Sequence, residues 1–197
     1  MLLNACLKRK KTMKKRLSAI LLLPFLTACG GDSTEKIGEA STVFNMLGKN
    51  DRIELHAFDD PQVKGVTCYL SYAKKGGLKE TVNLEEDASD ASVSCVQTAP
   101  QVNYTEAAVL KPQQIFKKGS SFAFKTLQVM RYYDPARKVF TYLVYSDKVI
   151  QGSPKNSMDA FSCYTGAPLD AAKLNLPPEQ QVFGSCVVTG TPPAAKN

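Results

Sequence analysis

The start of the chain decides what the rest can fold into and where. Lys14-Lys15-Arg16 is a short basic cluster, residues 17–25 are a compact apolar stretch, and small residues follow at Thr27 and Ala28. That is the order of a secretory signal peptide. The apolar stretch is well short of the ~20 residues that cross a bilayer as a helix. The folded part is therefore expected after residue 28, in a chain that leaves the cytoplasm.

The cleavage region adds a second expectation. Leu26-Thr27-Ala28-Cys29 resembles the lipobox of bacterial lipoproteins, in which the thiol takes a diacylglycerol before the peptidase cuts in front of it. Small side chains are needed before the cut and a nucleophilic thiol after it. Each buried methylene contributes about 0.8 kcal/mol, so two or three acyl chains hold a protein on a membrane where one does not. Residues 1–28 then read as a lipoprotein signal peptide and Cys29 as the lipidation site, with the membrane as a partner. Gly30 after that cysteine, rather than Asp, implies outer-membrane sorting in an enterobacterial-type envelope. Met13 already opens a complete signal peptide, so residues 1–12 read as an upstream extension and Cys6 is set aside.

Charge follows the same division. The net +7 suggests nucleic acid until it is located. Seven of the 25 Lys and Arg precede Cys29 and no acidic residue does, so the mature 169 residues hold 18 basic and 18 acidic side chains. A neutral domain has no global field with which to gather nucleic acid, and none is expected as a partner.

Four cysteines remain: Cys68, Cys95, Cys163 and Cys186. An even set in an exported chain argues for disulfides, with three connectivities open. Cys68–Cys95 and Cys163–Cys186 are favoured because each pair is close in sequence and lies in its own segment. Zinc would want close pairs such as C-x-x-C, which are lacking; no metal or cofactor is expected.

Short strands dominate the pattern. Residues 52–58 alternate, with Ile53, Leu55 and Ala57 on one face and Arg52, Glu54 and His56 on the other, as a half-buried strand does. Asp59-Asp60-Pro61 closes it. Residues 66–72 place Val66, Cys68 and Leu70 on one face, and Gly76-Gly77 offers a hairpin turn into residues 78–84. Val93 and Cys95 again share a face. The clearest hairpin spans residues 121–150, turning at Asp134-Pro135-Ala136-Arg137 as a type I turn, with a bulge expected near Lys125–Thr126. Residues 104–114 and 170–176 allow short helices at most. The expectation is a mainly β single domain (α+β the variant), an antiparallel sheet or sandwich with minor helices and disulfides.

Longer segments carry a family resemblance. Phe58-Asp59-Asp60-Pro61-Gln62-Val63-Lys64-Gly65-Val66-Thr67-Cys68-Tyr69 resembles a stretch of the CreA family, small exported bacterial proteins. So do residues 86–95 and 125–134, and most specifically Tyr145-Ser146-Asp147-Lys148-Val149-Ile150-Gln151-Gly152-Ser153-Pro154-Lys155-Asn156. The resemblance covers residues 37–156 and implies no particular reaction; it carries over Cys68 and Cys95 as a structural pair. The chain departs from the family in its lipobox and in continuing past Asn156 to a second cysteine pair. It then divides into a lipidated tether (29–42), a CreA-like β domain (43–156), a disulfide-containing C-terminal extension (157–188) and a disordered tail (189–197).

Chemistry-bearing residues are sparse. His56, the single histidine, has Glu54 two residues away and reads as a strand-surface residue. Ser146, Asp147, Lys148, Ser153 and Lys155 invite a serine–lysine hydrolase, which needs a lysine of depressed pKa beside the nucleophile. Glu85, Glu86, Asp87 and Asp90 lack an EF-hand pattern and read as a solvated loop rather than a calcium site. Phe122, Phe124, Tyr132, Tyr133, Phe140, Tyr142 and Tyr145 suit a sheet core, with a ligand pocket as the alternative. The reading is a lipid-anchored, non-enzymatic binding or accessory module of the cell envelope with an envelope protein as partner. Tyr145, Asp147, Lys148, Ser153, Lys155 and Asn156 are its candidate binding residues. A small-molecule-binding β domain is the first alternative and a Ser/Lys or His hydrolase the second.

Overall fold

Side chains alternate across a strand, so a strand with one apolar face needs a second sheet to cover it. In the computed structural model, residues 34–77, 90–119, 126–147 and 155–190 are described. β1 (Glu35–Val43), β2 (Asp51–Asp59), β3 (Val66–Lys74) and β4 (Ala91–Gln97) form an antiparallel meander. After it come β5 (Val102–Thr105) and the single helical turn α1 (Glu106–Val109). β6 (Gln113–Gly119), β7 (Thr126–Asp134), β8 (Val139–Asp147) and β9 (Asn156–Ser162) form a second meander. A 3-10 turn at Ala171–Lys173, capped by the Asp170 side chain, precedes the hairpin of β10 (Gln180–Phe183) and β11 (Cys186–Thr189). β11 pairs in parallel with β5. The chain is thus a mainly antiparallel β domain.

The two meanders share one core. Phe58, Val66, Cys68 and Leu70 of the first meet Phe116, Leu127, Val129, Phe140, Tyr142, Val144 and Phe161 of the second. Phe58 stacks on Phe116 with ring centroids 5.2 Å apart. Each fully buried apolar side chain of this size stabilises the fold by about 1.5–3 kcal/mol. The aromatic hairpin is therefore core rather than pocket at Phe140 and Tyr142, both sealed from solvent, while Tyr132 is exposed on the outer face. Phe122, Phe124 and Lys125 lie outside the described residues, while Thr126, the other residue of the expected bulge, pairs in register with Asp147; register shifts are described in β1 and in β6, the latter between Gln114 and Phe116.

Both expected disulfides are formed. Cys68 and Cys95 stand directly opposite one another in the β3–β4 register and are bonded. Cys163, just past β9, is bonded to Cys186 at the start of β11. The turn between β10 and β11 is Gly184-Ser185, and Gly184 has φ +57°, the left-handed region that a tight hairpin uses. A Cβ there would stand 2.1 Å from the Cys163 carbonyl oxygen, so glycine is required twice over.

Three boundary expectations are corrected. Residues 35–42, assigned to the tether, lie in β1, because their backbone groups pair with β2. Residues 157–188 are no appendage: β9 completes the second meander, and Cys163, Cys186, Val187 and Val188 are buried. Thr189, placed in the tail, closes β11. Cys29, the signal segment, residues 78–84, Glu85, Glu86, Asp87 and the tail from 191 lie outside the described residues.

Candidate functional site

β2 is turned the other way round from its hydropathy. Arg52 and Glu54 are buried and His56 is half-buried, while Ile53 and Leu55 are 44% and 37% exposed. The expectation that His56 occupies a polar outer face is therefore corrected. Register explains the arrangement, since Glu54 lies directly opposite Tyr72 of β3 and Glu39 of β1. The inner face of this meander is apolar from Phe58 and Cys68 to Leu70 and polar beyond, where Arg52, Glu54, His56 and Tyr72 gather.

The geometry of that cluster is tight. Arg52 Nε donates to Glu54 Oε1 at 2.8 Å, and Lys36 Nζ reaches the same oxygen at 3.3 Å. His56 Nε2 lies 3.3 Å from Glu54 Oε2 and 2.9 Å from the Tyr72 hydroxyl. Lys118, from the end of β6, donates to the Tyr72 hydroxyl at 2.5 Å and sits over its ring, 4.6 Å from the centroid. Burial works to raise the Glu54 carboxyl, but hydrogen bonds from Arg52 and His56, with the fields of neighbouring lysines, bring it down to about 2. Glu54 is thus an anion holding several donors in place.

A second feature runs along the seam between β4 and β9. The Cys95 backbone N–H donates to Asp159 Oδ2 at 2.6 Å, joining the two meanders where their edges meet. An open cleft of about 440 Å³ lies at one end of this seam, between Ile53, Tyr72, Ala91, Ser92, Lys155 and Asn156. Another, of about 320 Å³, is lined by Ser94, Gln97, Asp159, Phe161 and Gly166. Lys155 pairs with Asp90 on the rim of the larger cleft.

The residues singled out from the sequence divide accordingly. Lys155 and Asn156 line the cleft. Tyr145 faces Asn156 in the β8–β9 register, and Asp147 accepts a hydrogen bond from Gln128 Nε2. Lys148 and Ser153 lie outside the described residues. Ser146 is buried in β8, and its hydroxyl is without a hydrogen bond among the described residues.

Residues 37–166, which hold these groups apart from Lys36, match the family model described as CreA protein. The chain belongs to the CreA family. It is 47% identical over 146 residues to Protein CreA of Escherichia coli strain K12, an alignment covering 73% of this chain and 89% of the relative. The same values hold for Protein CreA of Escherichia coli O6:H1 strain CFT073 and of Escherichia coli O157:H7. No solved structure matches. The CreA match reaches beyond Asn156 to residue 166, so it takes in β9 and Cys163 but leaves Cys186 and the β10–β11 hairpin outside. Both seam clefts and the Cys68–Cys95 bridge lie within the CreA match.

Two buried polar groups of this CreA fold were not singled out in the sequence. One is Arg131 with Asp60, an ion pair sealed in the core. The other is Lys138, which donates to Glu106 Oε1 at 2.8 Å beside the Tyr104–Tyr133 hydroxyl pair. Burial pushes the Tyr104 hydroxyl up to about 12. For Arg131, a charged residue within an aromatic strand was the available signal, since it is buried only when a partner compensates it.

Proposed function

We propose that this CreA-family chain is a lipid-anchored protein of the cell envelope, held at the outer membrane through Cys29, and works there as a non-enzymatic binding or accessory module. The observation that carries the reading is the cleft at the β4–β9 seam. Lys155 and Asn156, from the segment that most resembles the family, meet Asp90, Ala91 and Ser92 there, with Ile53 and Tyr72 also lining the cleft. Charged, polar and apolar side chains side by side are ordinary in a protein-binding patch. Binding is favoured over hydrolysis because the Ser146 hydroxyl is buried rather than presented to a substrate, and His56 is held by Glu54 and Tyr72.

The test is cross-linking in intact envelopes followed by recovery of the lipidated chain. A reproducible protein partner is expected with the native chain, and its yield is expected to fall about tenfold with Lys155→Glu combined with Asn156→Ala, the loss that follows when a charge reversal and a truncation fall together on positions that contact the partner. Recovery of no reproducible partner, or equal recovery with the variant, would contradict the reading. A small-molecule reading draws on the same cleft, whose volume lies in the range of ligand pockets, roughly 300–1,000 Å³. It is distinguished by a ligand-induced rise in melting temperature that the same variant abolishes.

A further inference from the structure

The connection between β1 and β2 shows its apolar side chains to solvent. Phe44, Met46 and Leu47 are 78%, 91% and 64% exposed, and Val43 beside them is 55% exposed. Hairpin connections ordinarily carry Gly, Asn, Asp and Ser, so a run of large apolar residues there asks for an explanation. The loop is not held by burying them. Asn45 turns inward instead: its amide Nδ2 donates to the Lys49 carbonyl at 3.1 Å and to Asp51 Oδ1 at 2.9 Å, while its backbone N–H donates to Asn50 Oδ1 at 3.0 Å. The Gly76-Gly77 turn supports it from below, with the Gly77 N–H donating to the Lys49 carbonyl at 2.7 Å and the Gly76 N–H to Asp51 Oδ1 at 2.9 Å. Gly48, at φ +83°, approaches Gly77 so closely that a Cβ would meet its backbone at 2.8 Å. The polar framework is ordered and the apolar side chains point away from it.

We infer that this tip is a second membrane contact, inserting Phe44, Met46 and Leu47 into the interfacial region of the bilayer that carries the anchor. The inference rests on the anchoring proposed above. Five residues separate Cys29 from the first residue of β1, so the domain is held within about 20 Å of the lipid. β1 is the edge strand of its meander and runs about 27 Å from the anchored end to the tip. A surface laid along that edge touches both ends of one strand. A protein partner would have to offer a matching pocket to this projecting tip, whereas a bilayer interface accepts apolar side chains without complementary shape. The contact would fix the orientation of the domain and leave the β4–β9 seam on other strands.

The chain has no tryptophan, so Met46→Trp gives a single fluorescent reporter at the tip, and Leu110→Trp, exposed just after α1, gives a control. Each full chain is purified from envelopes and placed in phosphatidylethanolamine–phosphatidylglycerol vesicles with and without brominated acyl chains. Mass analysis of the Cys29 peptide reads the anchor separately. If that peptide carries no acyl group, the mature chain from Cys29 onward is prepared with a hexahistidine tag in front of it and held to vesicles by a nickel-chelating lipid, so the tip is measured in either case. Emission from the Met46→Trp chain is expected to shift to the blue and to be quenched by bromine, with the Leu110→Trp control unchanged. Water-like, unquenched emission from the tip reporter on vesicles would overturn the inference. So would a blue shift that brominated lipid leaves intact and that grows with protein concentration, since a second copy would then cover the tip.

Discussion

Arg131 of β7 places its Nη1 2.8 Å from Oδ1 of Asp60, the residue after β2, and neither side chain reaches solvent. Asp60 also accepts hydrogen bonds from the Gln62 and Val63 backbone N–H groups and from the Tyr142 hydroxyl. The second terminal nitrogen, Nη2, donates to Gln62 and Gln113 side-chain oxygens at 2.6 and 3.1 Å. This pair fastens the turn after β2 to the second meander across the core.

Removing one partner strands the other charge in the interior, which costs about 3–5 kcal/mol. Asp60→Ala is therefore expected to lower the unfolding free energy by about that amount in urea titrations, while Asp60→Leu with Arg131→Met recovers part of the loss. An unchanged midpoint for Asp60→Ala would contradict the assignment.

Glu54 sets a pH dependence. Its folded carboxyl stands at about 2 against an ordinary 4.5, so the stabilisation is complete above 4.5 and is lost as the pH falls from there toward 2. Glu54→Gln is expected to melt below the native chain at pH 7, with the difference shrinking as the pH is lowered through that window. A difference constant from about pH 7 to about pH 2.5 would show that the charge on Glu54 contributes nothing.

Much of the fold was legible from local features. Asp134 at the β7–β8 turn accepts from the Ala136 and Arg137 backbone N–H groups, as its position in an Asp-Pro turn implied. The alternation of Val66, Cys68 and Leu70 pointed inward, as it does in β3. β2 failed because hydropathy cannot see compensation. Arg52, Glu54 and His56 recur every second residue and satisfy one another, so they tolerate burial while Ile53 and Leu55 face outward. Asp60 and Arg131 are 71 residues apart, and no local pattern links them. Lys155 and Asn156 were legible as candidates, but the cleft they line depends on β4 and β9 meeting.

The second disulfide holds the terminal hairpin to β9. On the loop-entropy model a bridge closing a loop of this length contributes about 3 kcal/mol. Cys163→Ser with Cys186→Ser is expected to lower stability by about that amount while the native chain shows no reactive thiol at either position under native conditions. Ready alkylation of Cys163 or Cys186 in the folded native chain would contradict the bridge.

Anchoring at Cys29 is the central proposal, and intact-mass and peptide analysis of chain extracted from envelopes tests it most directly. The account predicts a mature amino terminus at Cys29 bearing diacylglycerol, and an unprocessed, unlipidated chain when Cys29→Ser is introduced. A mature terminus elsewhere, or a Cys29 free of acyl groups in the envelope fraction, would contradict it.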